Sequence, residues 1–177
     1  MKKHIYNAAP LFTKGEIRER LTEDEKLKGL KEYTYFNPIT APCNNKSDLP
    51  TSLDIFKGDT HEVLNADIVL ANLDHEDAGV MAELGMSWAL SYCGEIVKTL
   101  YDSGQIDAQA VEVFNLLGVK QKKIIAMAYD LREATAGEYE GIKVPFGRNQ
   151  FVIGLIEEAK GVFVEDFDEA LALLKED

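Results

Sequence analysis

The stretch from Leu70 to Leu90, LANLDHEDAGVMAELGMSWAL, holds the carboxylates Asp74, Glu76, Asp77 and Glu83 just after an apolar run. Glu83 stands out because its neighbours Ala82, Leu84, Met86, Ala89 and Leu90 read as buried helix residues. Asp77 and Glu83 straddle a loop-to-helix junction, so one acid can hold a substrate while the other attacks it. Glycosyl transfer with a carboxylate nucleophile needs such an arrangement: the anomeric carbon becomes oxocarbenium-like, and a nearby anion stabilises it. The same spacing fits a plain acid near a helix N-terminus, where the macrodipole favours negative charge.

These acids need a strand before them and a helix after them. ADIVLANL is a near-continuous apolar strand, the pattern of the buried centre of a parallel sheet, and a helix is expected over roughly Gly79 to Tyr92. Upstream, His4 to Ala8 reads as a strand. Thr13 and Glu16 form a capping box for a helix running to about Tyr33. YTYFNPI is a second strand stopped by Pro38. Thr40 to Ser52 is a long loop, of a length often functional in a compact domain, and a helix follows from about Leu53 to Asn65. Downstream, Gly94 to Lys122 adds polar and helical material. KKIIAMAYD is a buried strand, LREATAGEYEGIKVPFGR a second long loop, NQFVIGLIEEA a helix, GVFVED a short strand and FDEALALLKE a closing helix.

The alternation predicts an α/β fold: a doubly wound, five-stranded parallel sheet in flavodoxin-like order 2-1-3-4-5 with helices on both faces. The 177 residues suit a single domain, 1–177. In such sheets ligands bind beyond the carboxyl ends of the strands, where the strand order reverses. The loops NAAPLF and NLDHEDAG reach that edge, so the acidic cluster falls on the expected crevice.

Several chemistries are excluded. NAAPLF has no glycine to let a pyrophosphate approach, and there is no Walker lysine motif. His4, His61 and His75 lack metal spacing, and His61 and His75 read as surface residues. No nucleophile elbow is present. Cys43 and Cys93 read as idle thiols. No metal and no cofactor are expected. A net charge of −12 argues against a nucleic-acid polymer and suits a small neutral or cationic ligand. No run reaches the length of a membrane span, and the apolar part of MKKHIYNAAPLF is too short for a signal peptide. A cytoplasmic location is the expectation.

HIYNAAPLF, NADIVLANLD and DAGVMAELGMSWAL together resemble the nucleoside 2-deoxyribosyltransferase family, whose members show a D-x-G-x-x-x-E-x-G block at this place. The resemblance covers most of the chain and is weakest over Gly94 to Lys122, an apparent insertion. It implies that Glu83 is the nucleophile, forming a deoxyribosyl ester with retention, and that Asp77 binds sugar hydroxyls. By the same resemblance Asp59 faces the base as proton donor, Tyr6 orients the nucleophile, and Phe12 lines the base pocket. Asn149, in GRNQFVIGLIEE, matches an asparagine that reaches a neighbouring subunit's site. Plainer roles also fit: Tyr6 as a strand aromatic, Phe12 as a hydrophobic staple, Asp59 as a helix acid, Asn149 as a helix cap. The implied partners are deoxynucleosides and free nucleobases, handled by a homo-oligomer, dimer or hexamer, with shared active sites. The implied charge states are an ionised Glu83 and an Asp59 that holds a proton when base is bound. Some relatives end in an aromatic residue, whereas this chain ends LLKED. The rival activities are hydrolysis of deoxynucleoside 5′-monophosphates by the same glutamate, which needs a phosphate site that NAAPLF does not offer, and nucleoside binding without chemistry.

Overall fold

A computed structural model describes residues 2–128, 136–140, 142–145 and 148–175. Its main sheet is all-parallel, in the order β2 (Tyr33–Phe36), β1 (Lys3–Ala8), β3 (Ile68–Asn72), β4 (Lys123–Met127), β7 (Val162–Val164). Counting only these five strands, this is the expected 2-1-3-4-5 order. The order reverses between β1 and β3, which run side by side with Tyr6 paired to Val69 and Ala8 to Ala71.

Every residue of β3 is buried, because both faces of the sheet are covered. Alternate side chains point to opposite faces. Tyr6, Ala8, Val69, Ala71, Ile124 and Ala126 pack with Val63 of α2 (Ser52–Asn65), Val80 and Leu84 of α3 (Ala78–Asp102), and Leu155 and Ile156 of α5 (Gln150–Glu158). Ile5, Ile68, Leu70, Ile125 and Met127 pack with Leu27 of α1 (Lys14–Lys28) and with Phe167, Ala170, Leu171 and Leu174 of α6 (Phe167–Lys175). Two apolar layers around one sheet account for strands that are apolar at successive positions rather than at every second one.

Three elements differ from the sequence expectation. α1 stops at Lys28 rather than near Tyr33, closed by Gly29, whose N–H bonds back to Leu27 and Lys26 carbonyls. α3 runs ten residues past Tyr92 to Asp102. Gly94 does not break it, because that helix face lies against the Lys120–Gln121 backbone, 2.9 Å from where a Cβ would sit. Ser103 and the left-handed Gly104 (φ +72°) then end it, and α4 (Ala108–Leu116) follows. The second long loop contains an antiparallel hairpin, β5 (Ala136–Tyr139) with β6 (Ile142–Pro145). The rest of that stretch lies partly outside the described residues.

The C-terminal carbonyls of α2 would be orphaned in the interior. Lys122, itself buried, satisfies them: its Nζ donates to Ala66 O at 2.7 Å and Leu64 O at 3.0 Å. Burial, reinforced by the charge of Lys120, pushes this amine down to about 7.

Candidate active site

The site forms where β1 and β3 end. Tyr6, fully buried on β1, stacks on Phe36 with centroids 5.6 Å apart and donates its hydroxyl to Glu83 Oε1 at 2.6 Å. Burial, with the charges of Glu83 and Asp59 adding to it, pushes the phenol far above its ordinary range, so it stays a donor.

Glu83 reaches Tyr6 because α3 lies close to the sheet. Asp77 caps that helix, its Oδ1 accepting from Val80 N at 2.9 Å. Ser87 and Ser91 follow Glu83 at four-residue steps on the buried side. Their hydroxyls donate to Glu83 O (2.8 Å) and Ser87 O (2.9 Å), and Ser91 Oγ accepts from Lys122 N (3.1 Å). Small side chains that satisfy themselves on the helix backbone allow this close approach. The surroundings of Glu83 are less buried than the sequence suggests. Leu84 is buried, Met86 and Leu90 are half-buried, and Ala82 and Ala89 are exposed. Glu83 thus stands at the edge of the apolar face, where it opens into a cleft.

The cleft encloses about 630 Å³. Leu11, Phe12, Ile17, Ile39, Ile55 and Val80 give it an apolar wall, and Asn44, Asn45, Asp59, Asp77 and Glu83 a polar one. Phe12 lines it while remaining 81% exposed. The expected capping box holds Phe12 in place: Thr13 Oγ1 accepts from Glu16 N, and Glu16 Oε2 accepts from Phe12 N at 2.9 Å and from Thr13 N.

Asp77 is delivered by a strained turn. His75 (φ 61°) and Glu76 (φ 45°) are both left-handed without being glycine, at a cost of about 1–2 kcal/mol each. The turn is tied down at several points. Leu73 N donates to Met127 O (2.8 Å), Asp74 N to Asn72 Oδ1 (2.8 Å), and Asn149 N to Glu76 Oε1. Strain of this kind persists only where surrounding bonds over-determine the backbone.

The acids compete for charge. Glu83 is pushed up to about 7 by burial, with the charges of Asp59 and Asp77 adding to it and the Tyr6 hydroxyl opposing. Asp59, half-buried, is pushed up to about 6 by burial and by the charge of Glu62, against a hydrogen bond with the Asn44 side chain. Both acids are thus held above the usual carboxylate range in the free protein, Glu83 by burial and two facing carboxylates and Asp59 by burial and Glu62.

Of the residues singled out in the sequence, Phe12, Asp59, Asp77 and Glu83 line one cleft, with Tyr6 bonded behind Glu83. Asn149 does not join them. Its side chain caps α5 within its own chain, Oδ1 accepting from Phe151 N at 2.9 Å. His61 and His75 are exposed, as expected. Asn44 and Asn45 are site residues that the sequence reading did not single out. Their only signal was membership of a long loop, which proves to be a series of short 3-10 turns from Pro38 to Asp48.

The family profile for nucleoside 2-deoxyribosyltransferase matches residues 5–174. The chain belongs to that family. A comparison with curated proteins finds no match. Among solved structures, the chain is similar to a conserved protein from Enterococcus faecalis V583 (24% identity, TM-score 0.66, 99% of each chain covered). It is also similar to a 2-deoxyribosyltransferase from Bacillus psychrosaccharolyticus (18% identity, TM-score 0.48, 94% of this chain and 89% of the other). A third similar structure is the Clostridium botulinum CMP N-glycosidase BcmB (13% identity, TM-score 0.46, 93% of this chain and 88% of the other). The chain thus combines membership of the nucleoside 2-deoxyribosyltransferase family with a flavodoxin-like sheet, and among its described residues no helix is long and apolar enough to cross a membrane.

Proposed function

We propose that this chain moves a 2-deoxyribosyl group from one nucleobase to another through an ester on Glu83, with retention at C1′. The observation that carries the reading is the 2.6 Å bond from Tyr6 to Glu83 Oε1 at the floor of an acid-lined cleft. One carboxylate oxygen is held by the phenol, which fixes the rotamer and leaves Oε2 to attack.

In the first step Glu83 Oε2 bonds to C1′ while the C1′–N bond breaks. The bonding pair leaves with the base, which takes a proton from Asp59. In the second step a nitrogen of the incoming base displaces the ester and returns its proton to Asp59. Two inversions give retention. Asp59 titrates near 6, a range that suits both giving and accepting a proton close to neutrality. Asp77, capping α3 at the rim, is positioned to hold sugar hydroxyls, and Phe12 offers an aromatic face to the base. The missing 2′-hydroxyl makes the oxocarbenium state easier to reach and leaves room for the carboxylate.

The cleft also favours an unphosphorylated donor. Its lining carries Asp59, Asp77 and Glu83 and, among the described residues, no cation, so a 5′-phosphate would meet only like charge.

The test mixes the protein with deoxyinosine and free adenine and follows products by chromatography. Deoxyadenosine is expected to appear with the wild type and not with Glu83→Ala, and folded enzyme incubated with a slow fluorinated deoxynucleoside and then quenched by denaturation should carry a sugar adduct on Glu83. Normal turnover by the alanine variant would remove Glu83 from the mechanism, and free base without exchanged nucleoside would make the protein a hydrolase.

A further inference from the structure

On its inner face α1 buries charge. Arg20, Glu23 and Asp24 are all buried. Arg20 Nη2 donates to Glu23 Oε1 at 2.7 Å, and Asn7 Nδ2, near the end of β1, donates to Glu23 Oε2 at 2.9 Å. Asn7 follows Tyr6 on the strand, so its side chain points to the opposite face of the sheet. The cluster therefore backs onto the edge that carries the cleft.

Two bonds lead from α1 to the cleft wall. Arg20 O accepts from Asn37 Nδ2 at 3.2 Å, and Asp24 Oδ1 accepts from Thr40 Oγ1 at 3.0 Å. Asn37 and Thr40 are the two ends of one turn, closed by Thr40 N donating to Asn37 O at 3.1 Å. Between them stand Pro38 and Ile39, which line the cleft with Ile17 of α1. The next turn hangs on this one: Asn44 N donates to Ala41 O at 3.0 Å, and the Asn44 side chain bonds to Asp59.

We propose that Asn37 and Thr40 are positioning residues: their bonds to α1 hold Pro38 and Ile39 as a fixed apolar wall, and that wall makes the cleft prefer a fused-ring base to a single-ring one. Neither Asn37 nor Thr40 lines the cleft. The inference rests on the reading of the cleft as a nucleobase site with Asp59 on the base side.

Buried charges are costly, and apolar residues in their place commonly give a fold that is as stable or more so. What Arg20, Glu23 and Asp24 add is direction. Hydrogen bonds fix a turn in one place, whereas apolar packing alone would let it slide. The side chains of Pro38 and Ile39 cannot hydrogen-bond, so the place of the wall is set from its ends. Asp24 does not depend on Thr40, because Lys28 Nζ lies 2.9 Å from its Oδ2 and the Tyr35 hydroxyl also bonds to it. Thr40 is thus tied to an anchor that stays in place without it. A fixed apolar wall favours the ligand that covers more of it, and a purine covers more than a pyrimidine. A loose wall gives that advantage back, because it must be ordered when the base binds.

The experiment measures exchange from deoxyinosine to free adenine or free cytosine in the full-length protein, for the wild type, Thr40→Val and Thr40→Ser. Valine keeps the shape and deletes the hydroxyl that bonds to Asp24 and lies 3.3 Å from Asn37 O, whereas serine keeps that hydroxyl. Thr40 is exposed, so both variants should fold. In the wild type adenine should have the lower KM. Thr40→Val should raise the KM for adenine by about threefold to tenfold, the effect of one lost hydrogen bond. It should raise the KM for cytosine less and leave kcat within about twofold, and Thr40→Ser should restore both KM values. A merely structural loss would lower the rate and leave both KM values in place. Independently of turnover, the NMR order parameter of the Ile39 δ1-methyl should fall in Thr40→Val and recover in Thr40→Ser. An unmoved Ile39 methyl overturns the clamp. A lower KM for cytosine in the wild type, or a methyl that loosens while the two KM values keep their ratio, overturns its part in base choice. A wild type that exchanges neither base overturns the reading of the cleft and with it the base preference, while the Ile39 methyl still decides whether the clamp exists.

Discussion

Glu83→Gln should make the protein more stable at alkaline pH while abolishing transfer. Glu83 is displaced from its ordinary value of 4.5 to about 7. Between those values the folded state holds a proton that the unfolded state has released, so the stabilisation is complete below pH 4.5 and is lost as pH rises through about 7. At about 1.4 kcal/mol per pH unit the full displacement corresponds to roughly 3 kcal/mol. Glu83 opens onto the cleft, and water there screens its charge, so about 1–2 kcal/mol is the reasonable expectation. Glutamine cannot ionise and keeps a carbonyl oxygen for the Tyr6 hydroxyl, so the substitution removes the penalty without removing the bond.

For a chain of this size the gain corresponds to roughly 2–6 °C in Tm at pH 8. At pH 4, where both side chains are neutral, the two proteins should melt together. Calorimetric scans of wild type and variant at pH 4, 6 and 8 decide the matter. A Tm difference that is the same at all three, or a variant less stable at pH 8, would refute the account of a buried acid held near neutrality by its surroundings. The trade of stability for an ionisable group is the usual cost of an active site.

Tyr6→Phe keeps the stacked ring and deletes the one hydroxyl that draws Glu83 toward ionisation. A hydrogen bond to a charged group contributes about 1.5–3 kcal/mol, so kcat/KM at pH 7 should fall by roughly tenfold or more and recover toward pH 9, whereas an unchanged pH–rate profile would break the link between the two residues. Gly58→Ala would set a Cβ 2.7 Å from Cys43 Sγ and 2.9 Å from Cys43 Cβ. The turn carrying Asn44 must then shift away from Asp59. The expected result is a raised KM for the acceptor base with a Tm within a few degrees of wild type, measured by steady-state exchange and thermal melting, and an unaltered KM would show that this turn does not shape the base side of the cleft.

What could be read from the sequence followed from local pattern. The apolar run Ile68–Leu70 required a strand covered on both faces, and the alternation of elements required a parallel sheet with its site where β1 and β3 part. The capping box at Thr13 and Glu16 is a rule of four residues, and it holds. What could not be read depends on contacts between distant segments. Asn44 enters the cleft only because its turn packs against Gly58 on α2, and no local motif marks that contact. Lys122 reads as one more surface lysine until the end of α2 is brought to it. The hairpin of β5 and β6 hid in a stretch whose turn residues outweighed its short alternation. How strongly Asp59 and Glu83 are each displaced was beyond reach, since it depends on depth of burial and on which carboxylates face each other.

The charge balance of the cleft also bears on how a buried acid can act as a nucleophile. A lysine or arginine beside Glu83 would ionise it cheaply, yet the same cation would repel the positive charge that grows on C1′ as the base departs. With Tyr6 as the supporting group, Glu83 receives a dipole rather than a charge, enough to oppose but not to cancel the effect of burial. In the proposed mechanism the missing counter-charge comes from the reaction: as C1′ becomes oxocarbenium-like it is the cation nearest to Glu83, so the carboxylate is stabilised most in the transition state, where stabilisation accelerates the step, rather than in the resting protein. In that mechanism the fold's part is to keep Tyr6, Asp77 and Asp59 in place around that carbon. The close approach of α3 through Ser87 and Ser91, and the strained turn at His75 and Glu76, do so from opposite ends of the same helix segment.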